Sequence, residues 1–115
     1  MRDTRERLRD ILDAIALIER EAARGRDEFD RSEMLQVWIV HHLMIVGEAV
    51  RSLDPAFRQR HPEVPWRQIA GMRNLLVHDY FRINSAIVWE TVERDLPQLK
   101  LQMIAILASS AETGT

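Results

Sequence analysis

Apolar residues recur every three or four positions through most of the chain, and that spacing selects helices over strands. Asp3 followed by Glu6 reads as a helix start, after which Leu8, Ile11, Leu12, Ile15 and Ile18 form one stripe on a helix of about residues 4–23. Arg24-Gly25-Arg26-Asp27 breaks the pattern. Asp30 with Glu33 repeats the start signature ahead of Leu35, Trp38, Ile39, Val46, Val50 and Leu53, whose wide apolar arc suits a central helix. Gly47 disfavours that helix by ~1 kcal/mol relative to Ala, so a neighbouring helix is expected to cross it closely there.

Asp54-Pro55 ends the second helix and opens a short segment, Ala56 to His61, punctuated by Pro62 and Pro65. Pro65 suits the first turn of a third long helix, along which Trp66, Ile69, Leu76 and Tyr80 keep helical spacing as far as Phe81. Asn84 or Ser85 can cap a last helix carrying Ile87, Val88, Val92, Leu96, Leu99, Met103, Ile104 and Leu107, which Pro97 should kink or divide. No strand-type alternation or internal repeat appears. The expected fold is all-α: a four-helix up-and-down bundle with one short additional helix, formed by residues 1–108 and followed by a flexible polar tail, 109–115.

At 115 residues the chain is sized for one domain. The absence of cysteine excludes disulfides and thiolate chemistry and suits a cytoplasmic protein. The charged N-terminus does not resemble a signal peptide, and the apolar stretch Leu35–Val50, interrupted by Gln36, His41, His42 and Glu48, falls short of the ~20 residues of a membrane span. A net charge of −2 argues against a nucleic-acid partner, but its distribution argues the other way. Residues 1–50 hold 8 Arg against 11 acidic side chains, residues 51–82 hold 6 Arg against 3, and residues 83–115 hold 2 basic against 4 acidic. The middle segment alone is net basic.

Within it, residues 73–80 place Arg, His and Tyr, types suited to acid–base and phosphate chemistry, within eight positions. On a straight helix Arg73 and His78 would point roughly 140° apart, so either the helix opens near His78 or a second protomer completes the site. Spacing alone also permits a bland reading, with His78 bonded to a bundle carbonyl and Arg73 paired with Asp79 or Glu63. Glu48, on a largely apolar helix, is either buried and paired or reaches solvent, in a supporting role. His41 and His42 point to different faces, no helical zinc spacing stands out, and Trp38, Trp66 and Trp89 read as core.

Arg73, His78 and Tyr80 in that spacing resemble the signature of the HepT-like HEPN ribonucleases. Pro62, Pro65-Trp66, Ile69-Ala70-Gly71-Met72 and Asn74 resemble the same pattern, as do Ile45-Val46-Gly47-Glu48-Ala49, Val88-Trp89 and Asp95-Leu96-Pro97. The resemblance implies a homodimeric endoribonuclease, the toxin of a type VII-like toxin–antitoxin pair, that needs no metal or cofactor and cleaves RNA, either transfer or messenger, at a cleft between subunits. It makes Arg73 and His78 catalytic, gives Asn74, Glu48 and Asp79 positioning roles, and makes Tyr80 the acceptor of AMP from a minimal nucleotidyltransferase antitoxin. A non-catalytic HEPN module binding a nucleotide or a partner through the same cleft is the alternative.

Overall fold

A computed structural model describes residues 3–72, 77–78 and 82–112, without the side chains of residues 77, 78, 82 and 110–112. Helix α1 spans Thr4–Ala22 and starts as the sequence indicates, with the Asp3 carboxylate accepting from Glu6 N–H at 2.8 Å. A short helix, α2, follows over Arg26–Arg31 after Gly25, whose φ of 95° is a backbone conformation few other residues adopt without strain. Helix α3 spans Glu33–Arg51, and its cap is Ser32 rather than Asp30: Ser32 Oγ accepts from Leu35 N–H at 3.1 Å. Asp30 still lies in α2, one turn from Arg26, so its side chain is spent on an ion pair at 3.4 Å.

Helix α4, Pro55–Gln59, is capped by Asp54, and α5, Trp66–Ala70, follows the two prolines. The indole of Trp66 ties the intervening loop, donating to Arg58 O at 3.1 Å and His61 O at 2.9 Å. The third helix is therefore far shorter than its apolar spacing predicts. It stops at Gly71, and the chain is extended by Val77–His78 (β1), which pairs antiparallel with Arg82–Ile83 (β2) in the register Val77↔Ile83 and His78↔Arg82. Gly disfavours helix, and the α5 carbonyl end is satisfied from outside, so little favours extending the helix.

Asn84 caps the last helix, accepting from Ile87 N–H at 3.3 Å. Helix α6 (Ser85–Glu90) passes through a π-helical stretch, Thr91–Asp95, into α7 (Leu96–Glu112) without a break. Pro97 explains the wide turn, because proline cannot donate to the carbonyl four residues back and its ring crowds that oxygen. Leu96 N–H reaches back five residues to Thr91 O. Rather than dividing the helix, Pro97 is absorbed by it.

The core lies where α1, α3 and the last helix meet, and Ile11, Ile15, Ile39, Leu43, Val88 and Met103 are sealed there. Arg5 bonding Leu107 O and Lys100 bonding Glu19 show α1 and α7 running in opposite directions. The protein is all-α; among the described residues there are three long helical rods, and α5 stands at the start of the expected fourth.

Candidate active site

Of the residues assigned chemistry, Arg73, Asn74, Asp79 and Tyr80 lie outside the described residues, as does the side chain of His78. The backbone of His78 is extended, in β1, so the straight-helix geometry that separates it from Arg73 does not apply. The extended backbone fits the first of the two routes left open by the sequence, opening of the helix near His78, and leaves completion by a second protomer open.

The described residues on either side of the motif pack against α3. At the upstream end, α5 packs so closely on α3 that a Cβ added at Gly47 would lie 3.2 Å from Ile69 O and 3.9 Å from Ala70 O. This is the close approach that a glycine inside an apolar helix requires. Met72, the residue before Arg73, is buried beside Gly47. At the downstream end β2 contacts α3, and Ile83 packs partly buried against the core.

Glu48 resolves to the solvent-facing reading: its side chain is 66% exposed and approaches Arg51 Nη1 at 3.7 Å. Arg51 in turn donates from Nη2 to Ala70 O at 3.0 Å, joining α3 to the last residue of α5. Nothing in the sequence singles out Arg51, since its partner is a backbone carbonyl 19 residues away. On its other side Glu48 lines a shallow cavity of about 410 Å³ with Arg7, Asp10, Asp13 and His42. Among the described residues, no group of three or more His, Asp or Glu side chains is placed to hold a metal ion.

The family model described as Ribonuclease HepT-like matches residues 11–106. The chain belongs to the HepT-like family. It is 43% identical over 91 residues to a protein of Caldanaerobacter subterraneus subsp. tengcongensis named "Putative RNase", covering 79% of this chain and 81% of that one. It is 39% identical to "Probable ribonuclease HepT" of Thermococcus cleftensis, covering 86% of this chain and 91% of the relative. A "Putative RNase" of Methanocaldococcus jannaschii is 36% identical, with 89% and 94% covered. No solved structure matches. Residues 11–106 take in α1 from its third turn, the α3–α5 crossing and the last helix, so the HepT-like match covers the whole frame around the motif.

Elsewhere in this HepT-like chain, the remaining candidates divide between core and surface. His42 is buried, with Nδ1 2.8 Å from Trp38 O; a carbonyl only accepts, so Nδ1 carries the hydrogen. Trp66 and Trp89 are core as expected, Trp89 packing on Phe29 with ring centroids 5.1 Å apart. Trp38 departs from that expectation. Its ring is partly exposed, tilted against His42 with centroids 4.3 Å apart and covered by the Arg20 guanidinium at 5.6 Å, and it stands in a row with exposed Met34, Val37, His41 and Ile45 along α3. No helix among the described residues is long and apolar enough to cross a membrane.

Proposed function

We propose that the chain is a metal-independent endoribonuclease, acting as a homodimer in which Arg73 and His78 of the two subunits line a shared cleft. The observation that carries this reading is membership of the HepT-like family together with Arg73, His78 and Tyr80 in the family's spacing. The chemistry suits those residues. Imidazole exchanges protons near neutrality, with an unperturbed pKa of ~6.5, so His78 serves as general acid or base while a ribose 2′-OH attacks the adjacent phosphorus. The O2′–P bond forms, the P–O5′ bond breaks, the 2′ proton is taken up and the departing 5′ oxygen is protonated. Arg73, permanently charged, grips the non-bridging oxygens as negative charge builds on them. Asn74 and Asp79 orient these groups and the RNA.

The outward row Met34, Val37, Trp38, His41 and Ile45 supports the dimer, because exposed apolar residues this close together on one helix are expected to be covered by a partner. The biological role that fits is the toxin of a type VII-like toxin–antitoxin pair, with transfer or messenger RNA as substrate. Its antitoxin would be a minimal nucleotidyltransferase. The Tyr80 phenol oxygen would attack the α-phosphorus of ATP and displace pyrophosphate, and the attached AMP would set bulk and negative charge beside the RNA site.

Cleavage should persist in excess EDTA and leave a 2′,3′-cyclic phosphate or its hydrolysis product. The His78→Ala variant should be slower by ~10²–10⁴ with its helical circular dichroism unchanged. Strict dependence on magnesium, or loss of fold in that variant, would overturn the assignment. After coexpression with the antitoxin, intact-mass measurement should find whole AMP increments on the wild type and none on Tyr80→Phe.

A further inference from the structure

We propose that Arg51 is a positioning residue for this chemistry: anchored on the last carbonyl of α5, it fixes where the chain enters the Arg73–Tyr80 motif. The inference rests on the ribonuclease reading above. Helix ends leave carbonyls without partners inside the helix, and how those carbonyls are satisfied decides where the following chain goes. At the end of α5, Gly71 N–H donates to Arg67 O at 3.0 Å and Met72 N–H to Ile69 O at 3.2 Å. The Ala70 carbonyl is taken by Arg51 Nη2 at 3.0 Å, from a different helix.

Two restraints therefore act on the same point. The backbones of α3 and α5 come so close at Gly47 that a Cβ there would lie 3.2 Å from Ile69 O, which leaves α5 little room to move toward α3, and the Arg51 bond holds its end against lifting away. Glu48, 3.7 Å from Nη1, steadies the other arm of the guanidinium fork. The Arg51 side chain is 61% exposed, so removing it leaves the apolar core intact and frees chiefly the end of α5. Catalysis is far more sensitive to such a release than stability is, because a 1 Å misplacement of a reacting group can lower a rate by ~10²-fold.

The test is steady-state RNA cleavage by the purified full chain, with melting temperature and amide hydrogen exchange measured on the same samples. For Arg51→Ala, kcat should fall about tenfold with KM within about twofold of wild type, exchange at Gly71 and Met72 should quicken, and the melting temperature should change little. Arg51→Lys, which keeps a donor and the charge, should recover most of the loss. A raised KM with kcat intact and a shallower salt dependence would mean that Arg51 grips RNA phosphate, and would overturn the positioning role. So would a loss of kcat that only follows loss of fold, or an Arg51→Ala enzyme with wild-type kcat. A wild-type chain that leaves RNA intact overturns the ribonuclease reading itself, an outcome distinct from these.

Discussion

Gly47 shows how much one missing methyl group arranges in this protein. As a residue inside α3 it is a poor choice, and Ala would favour the helix by up to ~1 kcal/mol. As a contact it is what admits α5, whose Ile69 carbonyl would lie 3.2 Å from any Cβ placed there. That oxygen belongs to the backbone of a helix held by Arg51 and by the buried Met72, so it cannot yield as a flexible side chain could. Overpacking of this kind costs ~1–3 kcal/mol, and the clash should outweigh the gain in propensity. Gly47→Ala is expected to lower the unfolding free energy by about 1–2 kcal/mol in a urea titration. An unchanged or raised midpoint would mean that α5 rides more loosely on α3 than the contact implies. The glycine was legible in the sequence as a crossing point; the identity of the crossing element was not.

The boundaries of the elements are set by short-range chemistry that several residues could have supplied. Asp30 and Ser32 both stand at the approach to α3, and both are good N-cap types. The structure selects Ser32, because the intervening residues complete α2 and leave Asp30 within that short helix, opposite Arg26. Ser32→Ala should therefore cost ~1 kcal/mol of stability. Asp30→Ala should stay within about 0.5 kcal/mol, since an exposed ion pair contributes little. Thermal melts of the two variants side by side check the assignment, and the reverse ranking would return the cap to Asp30. At the far end of α1, hydrogen bonds from Arg20 and Arg24 hold the Glu21 carboxylate below its usual pKa. Proline acts at the same scale. Pro97 marks a disturbance in the last helix, and a π-helical stretch rather than a break is how the helix meets it.

For the whole molecule, the question is what covers the outward side of α3. Val37 is 51% exposed and Met34 86% exposed, so neither contributes much to the core of a single chain. A Val37→Glu change should leave the circular dichroism and the melting transition of the monomer nearly intact. If this face joins two subunits, light scattering at micromolar concentration should find dimers in the wild type and monomers in the variant, with RNA cleavage lost alongside. Dimers that survive the charge would place the subunit contact elsewhere, on a face such as the one bearing Leu101 and Ile104 of α7.

Helical periodicity by itself determined the all-α class, the two long helices α1 and α3 and most core positions on each, because a residue's place on a helix is fixed by counting, while the start signature at Asp3 and the choice between Asn84 and Ser85 came from capping chemistry. The family signature was equally local and was readable before any fold was known. What only the tertiary structure decided is where helices stop. Trp66, Ile69, Leu76 and Tyr80 keep helical spacing, yet α5 ends at Ala70 and His78 is extended. At that end the Ala70 carbonyl is taken by Arg51 and α5 packs closely on Gly47, both distant in sequence, and no periodicity in residues 66–80 could report them. Trp38 is the same lesson at the surface: its spacing is that of a core residue, and only the arrangement of α1 and α2 around α3 leaves its ring at the edge.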